Sequence, residues 1–85
     1  MPTTASFRGI TIRLYPDDHL PLHFHAFYGD SEAMIDINAL TSIAGGLPPA
    51  QLREVLAWAG RHQADLVDRW QRCQNHQPVP RIPHP

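Results

Sequence analysis

The stretch Leu22-His23-Phe24-His25-Ala26-Phe27-Tyr28-Gly29-Asp30-Ser31-Glu32-Ala33-Met34-Ile35-Asp36-Ile37 decides the centre of the fold. Two alternating runs flank Gly29-Asp30, a two-residue hairpin signal, because glycine tolerates the positive φ that such turns require. Pairing Tyr28 with Ser31 predicts a register in which apolar residues meet on one face: Leu22 with Ile37, Phe24 with Ile35, and Ala26 with Ala33. The opposite face then pairs His23 with Asp36, His25 with Met34, and Phe27 with Glu32. A slip of one residue would turn one apolar face to solvent.

Further strands are predicted on both sides of this hairpin. The period-two alternation from Phe7 to Tyr15 indicates a first strand that ends before Pro16. A loop follows over residues 17–21, so the hairpin strands span residues 22–28 and 32–38. Residues 41–46 form either a short fourth strand or a turn that ends in Gly45-Gly46.

A single long C-terminal helix is predicted from Pro48-Pro49 onward, since proline is accepted in the first helical turn. Its apolar residues recur at helical spacing and predict a stripe that covers the apolar face of the sheet: Leu52, Val55, Leu56, Ala59, Leu66, Val67, Trp70 and Cys73. The fold class is therefore α+β, with a three- or four-stranded, mainly antiparallel sheet and one helix. Residues 1–76 form a single domain, and the proline-rich residues 77–85 form an extended tail.

Composition limits the classes of function. Seven arginines, no lysine and eight acidic residues give a net charge of −1. This charge argues against broad nucleic-acid binding, although a local arginine patch stays open. The single cysteine, Cys73, excludes an internal disulfide and fits a reducing compartment, with a buried thiol as the expected state. Since neither a secretory signal nor a membrane-length apolar run is visible, we expect a cytoplasmic protein without membrane contact.

The histidine segment is the strongest candidate site. His23 and His25 are two residues apart, so both side chains leave the same face of a strand. Imidazole nitrogen suits divalent transition metals, and His19 or an acid of the Asp17-Asp18 pair would complete the ligand set. Asp36 would either bind the metal or orient His23. The alternative is a solvated polar face in which His23 and Asp36 form an ordinary cross-strand pair.

An enzymatic interpretation uses the same face. His23 or His25 would act as a metal ligand or a general acid–base, Asp36 would orient it, and Arg13 would stabilise an anion. The sequence contains neither a glycine-rich phosphate loop after a strand nor a Gly-x-Ser-x-Gly nucleophile elbow, so those enzyme classes are set aside.

A partner surface is predicted around Trp58. On one continuous helix this residue lies off the apolar stripe, beside Arg61 and His62. A tryptophan next to an arginine is typical of interaction hot spots. The alternative is that Trp58 folds over the helix or covers one end of the sheet.

Several segments together resemble a known family: residues 1–3, 7–15 and 18–29, Ile35-Asp36-Ile37, Gly46-Leu47-Pro48, and the tryptophans Trp58 and Trp70. The chain is similar to the small bacterial family catalogued as domain of unknown function four-one-six-zero, over nearly its whole length. In that family the histidine segment typically reads Asp-His-x-Pro-Pro-His-Phe-His-Ala. Leu22 replaces the second proline here, and all three histidines are kept.

The resemblance implies a fold but no established reaction. Members of the family are small stand-alone proteins that are often encoded beside another small protein, an arrangement similar to a toxin–antitoxin pair. We therefore expect a cytoplasmic interaction or regulatory module with a His/Asp-rich binding face, which works with a small protein partner or by self-association. The alternative is a small hydrolase, such as a metal-dependent ribonuclease, that uses His19, His23, His25 and Asp36.

Overall fold

A computed structural model describes residues 3–83 of the chain. Five strands form one antiparallel sheet in the order of the sequence, and two helices follow. The strands are β1 (Thr3–Phe7), β2 (Ile10–Arg13), β3 (His23–Tyr28), β4 (Ser31–Asp36) and β5 (Ser42–Gly46). The helices are α1 (Pro49–Arg61) and α2 (Gln63–Gln74). The fold class is α+β as predicted, with more strands and one more helix than expected.

The central hairpin has the predicted register. His23 pairs with Asp36, Phe24 with Ile35, and every intermediate pair follows up to Tyr28 with Ser31. The N–H of Ile37 donates to the carbonyl of Leu22 at 2.9 Å, which extends the same register by one position. Gly29 has a φ of +57°, as the turn requires.

The prediction of one strand from Phe7 to Tyr15 is wrong, because the chain turns back at Arg8-Gly9. Both turn residues have positive φ, +49° and +77°, which is the backbone of a tight hairpin. Phe7 therefore pairs with Ile10 and lies in the core, and residues 3–7 supply the additional strand β1. Residues 42–46 form a strand, which resolves the alternative left open for this segment.

The prediction of one long helix is also wrong. At His62 the backbone takes a φ of −126° and a ψ of 24°, and its N–H donates to Ala59, three residues back. The side-chain amide of Gln63 donates to the carbonyl of Ile37 at 2.9 Å and so attaches the break to the end of β4. Each helix consequently has its own buried stripe: Val55, Trp58 and Ala59 in α1, and Leu66, Trp70 and Cys73 in α2.

Both faces of the sheet are covered along the first part of β3. Phe24 packs edge-on against Trp58 of α1, with ring centroids 6.1 Å apart. On the alternate face, the ring of His23 lies 5.2 Å from that of Trp70 in α2. His23 and His25 are consequently only 3% and 9% exposed. The alternative of a solvated polar face therefore does not hold at these two positions.

The described part of the tail packs back on the domain. Residues 77–83 form no helix or strand, and the N–H of Ile82 donates to the carbonyl of Thr4 in β1 at 2.8 Å. Residues 84 and 85 of the predicted tail, and residues 1 and 2 of the predicted domain, lie outside the described residues. Neither described helix has the length and apolarity needed to cross a bilayer.

Candidate metal centre

Asp18 meets both strand histidines at one point. A turn at the start of the loop, closed by the N–H of Asp18 and the carbonyl of Tyr15 at 3.3 Å, brings the carboxylate over β3. Its Oδ2 atom lies 2.8 Å from Nε2 of His25 and 3.2 Å from Nε2 of His23. The three ligand atoms all lie within 4.8 Å of one another. The loop and the strand thus contribute one carboxylate and two imidazoles to a single cluster.

His23 is held with its Nε2 atom directed at the cluster. Its Nδ1 atom lies 2.7 Å from the carbonyl oxygen of Pro21, which only accepts hydrogen bonds, so Nδ1 donates. In the neutral ring Nε2 then carries the lone pair. This atom is buried and, despite its short distance to Asp18, has no hydrogen bond of acceptable geometry. A buried acceptor beside a carboxylate needs a cation, either a proton or a metal ion.

His25 is held between two carboxylates. Nε2 faces Asp18, and Nδ1 lies 3.2 Å from Oε2 of Glu32, a diagonal neighbour on β4. A metal-binding histidine commonly donates its second ring N–H to a carboxylate, which fixes the tautomer and the ring orientation. Glu32 is placed to accept that bond, and the carbonyl of Pro21 does the same for His23.

The spacing within the cluster suits a metal ion. Nitrogen and oxygen ligands bind zinc at about 2.0–2.2 Å, so adjacent ligand atoms around one ion lie roughly 3 Å apart. The two observed distances from Asp18 are of this size. Two histidines and one carboxylate also form the ligand set typical of metal sites that keep open coordination positions.

Two aromatic side chains shield the histidines of the cluster from water, whereas the carboxylate is partly exposed. Tyr15 packs edge-on against His25 at 4.7 Å between ring centroids, and Trp70 covers His23. The side chains of His23 and His25 are 4% and 11% exposed, whereas that of Asp18 is 23% exposed. The cluster therefore opens to solvent at the carboxylate, which is where an external ligand would enter.

Two of the four predicted metal ligands lie apart from this cluster. Asp36 is the backbone partner of His23, but its Oδ1 accepts the N–H groups of Asn38 and Ala39 at 2.8 and 2.7 Å and shapes the turn after β4. His19 is exposed in the loop. Among the described residues, the group that is close enough to share an ion is Asp18, His23 and His25.

The sequence indicated Asp18 only as one of two loop acids. Nothing in the residue pattern distinguishes it from Asp17 or His19, because the choice depends on how the loop turns after Tyr15. Trp70 and Tyr15 were not predicted as walls of the site. The position of Trp70 on an apolar helical stripe was visible, but its contact with His23 depends on the helix break at His62.

The predicted partner residues have different environments. Trp58 is fully buried against Phe7 and Phe24, so its predicted position off the apolar stripe is wrong. The cause is the ending of α1 at Arg61, which makes Val55, Trp58 and Ala59 the buried side of a shorter helix. Arg61 is exposed, and His62 is half-buried beside the ring of Trp58.

Two side chains outside the cluster, Cys73 and Asp68, have shifted pKa values. Burial, and to a lesser degree the charge of Asp18, raises the pKa of the Cys73 thiol above its usual value. On the outer side of α2, hydrogen bonds from Arg72 and Arg69 lower the pKa of Asp68. The first shift makes Cys73 a neutral buried thiol rather than a nucleophile.

A family comparison matches most of the chain. The family model described as Domain of unknown function (DUF4160) matches residues 9–71, which include the whole cluster. Neither the search of curated proteins nor the search of solved structures found a match.

Proposed function

The chain belongs to the family described as Domain of unknown function (DUF4160), and we propose that it binds one divalent transition-metal ion through Asp18, His23 and His25. The observation that carries this proposal is the convergence of the two buried Nε2 atoms on one oxygen of Asp18, at 2.8 and 3.2 Å. Both rings present this nitrogen because their Nδ1 atoms are engaged elsewhere, by Pro21 and Glu32.

The burial of the two histidines favours metal binding over an ordinary cross-strand polar pair. Two imidazoles and a carboxylate lose hydration when they are packed under Tyr15 and Trp70, and such burial is costly unless the charges are compensated. A divalent ion compensates Asp18 and uses both lone pairs at once. In a chain of only 85 residues, metal binding would also contribute to folding stability.

Open coordination positions support a hydrolytic role for the bound ion. Three protein ligands leave room for water, and a metal ion of this kind lowers the pKa of such water towards neutrality. For the enzymatic interpretation, we therefore propose a small metal-dependent hydrolase. Asp18 replaces Asp36 and His19 in the ligand set, and Glu32 orients His25.

The test is elemental mass spectrometry of tag-free protein, together with titration of zinc into the metal-free form. The wild type is expected to hold one ion per chain. Asp18→Asn keeps the size of the side chain and removes its charge, so it is expected to weaken zinc binding while the fold is kept. His62→Ala is the matched control, because His62 lies outside the cluster.

The variants also separate loss of binding from loss of folding. Circular dichroism of each variant reports whether the domain is intact. Wild-type protein that stays folded and takes up no zinc, cobalt or manganese would overturn the proposal. Equal zinc affinity in the wild type and in Asp18→Asn would show that the ion binds elsewhere.

A second candidate function, the interaction module, is supported by the edge strand β5. All five residues of this strand are exposed and none is charged. Ile43 is one of the two large apolar residues that are exposed within residues 3–83. At the other edge of the sheet, the tail covers β1 through the bond from Ile82 to Thr4. Natural edge strands are usually protected by charge, proline or a covering segment.

We propose that β5 pairs with an extended segment of a small partner protein, as in a toxin–antitoxin-like pair. The test is co-expression with the product of the adjacent gene, followed by purification of the wild type and of Ile43→Lys. A complex that is lost in Ile43→Lys and kept in Arg61→Ala supports this use of β5. A complex that persists in Ile43→Lys, or self-association of the chain alone through β5, contradicts the proposed partner.

A further inference from the structure

Arg13 lies on the same face of the sheet as His25. It is the β2 partner of His25 in the antiparallel ladder. Directly opposite residues in such a ladder direct their side chains to the same face, with Cβ atoms about 5 Å apart. Its guanidinium carbon lies 5.5 Å from the centroid of the Phe27 ring, which is itself stacked 6.4 Å from the ring of His25.

The positive charge of Arg13 is not paired within the described residues. Arg8 pairs with Glu54, and Arg69 and Arg72 pair with Asp68, whereas the other described arginines take part in no such ion pair. Among these others Arg13 alone is half-buried, since Arg53, Arg61 and Arg81 are exposed. Its Nε atom is buried and donates to no acceptor in the part of the chain described. An arginine that has no ion-pair partner among the described residues can bind an external anion through its guanidinium group.

The neighbouring centre supplies the second half of an anion site. A metal ion bound by Asp18, His23 and His25 would keep open positions on the solvent side, and Arg13 approaches from the strand next to His25. Tetrahedral phosphate has several oxygens, so it can bind a metal through one and a guanidinium fork through two others. Carboxylate and phosphate both fit the fork, but a phosphate monoester keeps a third free oxygen for the metal.

We propose that Arg13 and the bound metal together bind the phosphate group of a phosphate-ester ligand. This inference rests on the proposed function and specifies its substrate class. A phosphate monoester has three free oxygens and can make all three contacts, whereas a diester has two and would give one to the metal and one to the guanidinium. Aromatic Phe27, half-buried beneath the guanidinium, holds Arg13 over the same face.

The experiment uses cobalt-loaded protein, whose visible absorption changes when an anion enters the coordination sphere of the metal. Inorganic phosphate, a dinucleotide with one phosphodiester, and oxalate are titrated separately. Arg13→Gln is expected to weaken phosphate binding by about tenfold or more, since it removes charge-assisted hydrogen bonds. Arg13→Lys restores part of the affinity because it keeps the charge, and Arg8→Gln is the matched surface control.

The outcomes distinguish this inference from the proposed function. Loss of phosphate binding in Arg13→Gln, with cobalt binding unchanged, supports the inference, and the dinucleotide titration then shows whether diesters bind as well as monoesters. Cobalt binding with a phosphate affinity that is equal in the wild type and in Arg13→Gln overturns the inference alone. Oxalate binding that depends on Arg13 more strongly than phosphate binding overturns the phosphate class. Failure to bind cobalt overturns both.

Discussion

Asp18 and His25 are held 2.8 Å apart by two different parts of the chain, a loop and a central strand. The strand fixes His25 through the hairpin register, and the loop positions Asp18 through the turn that follows Tyr15. Glu32 approaches the same imidazole from its other side. The arrangement gives His25 a binding atom and an orienting partner, which is the basis for the first prediction.

Glu32→Gln is expected to weaken zinc binding by about 10- to 100-fold, the usual effect of removing a carboxylate that orients a metal-binding histidine. The amide keeps the shape of the side chain and loses the charge that favours the Nδ1–H tautomer of His25. Isothermal titration of zinc into the metal-free protein measures the change. Glu54→Gln, which removes an acid paired with Arg8 in an exposed position, is the control. Equal effects in the two variants would argue for a general charge effect.

His19→Ala is expected to leave zinc affinity unchanged, because His19 is exposed and lies outside the described cluster. This variant distinguishes the observed ligand set from the set predicted by sequence, in which His19 was a candidate. The same zinc titration applies, with Asp18→Asn measured in parallel. A large loss of affinity in His19→Ala would mean that the loop rearranges to bring this imidazole to the metal.

The hairpin register was predictable because two independent signals agree. The Gly29-Asp30 turn and the alternation of apolar residues both require Tyr28 to pair with Ser31. The turn at Arg8-Gly9 was missed for a physical reason. Arginine at a φ of +49° gives no sequence signal, and the alternation continues from Ile10 to Leu14 as it would in one strand. The position of Phe7 distinguishes one continuous strand from a hairpin. In one strand Phe7 and Ile10 would face opposite sides of the sheet, whereas in the hairpin they are paired and face the same side.

The helix break and the full ligand set depend on tertiary contacts. His62 is neither glycine nor proline, so no local signal ends α1, and the bond from Gln63 to Ile37 spans 26 residues. Asp18 differs from Asp17 only by which way the loop turns. The histidine pair itself was predictable, since spacing by two residues on a strand places both rings on one face.

Trp58→Ala is expected to destabilise the domain by about 3–5 kcal/mol, because it leaves a large cavity between α1 and the sheet. Its indole is fully buried against Phe7 and Phe24. Arg61→Ala, an exposed neighbour at the end of the same helix, is expected to change the free energy of unfolding by no more than about 0.5 kcal/mol. Urea unfolding followed by circular dichroism measures both. A small effect in Trp58→Ala would contradict the packing of α1 and restore Trp58 as a surface residue.

Cys73 is expected to react slowly with iodoacetamide in the native protein, because burial raises the pKa of its thiol and the thiolate is the reactive form. The shift also predicts a pH dependence of stability. The pKa of the Cys73 thiol is higher in the folded state than in the unfolded state, where it is about 9. Its contribution to the stability of the native state is therefore complete below about pH 9. The contribution is lost as the pH rises through the folded-state pKa, since the unfolded chain then releases its proton first. Alkylation at pH 8, in the native state and in guanidinium chloride, measures the protection, with Cys73→Ser as the unreactive control. Equal rates in the two states would contradict the burial of this thiol.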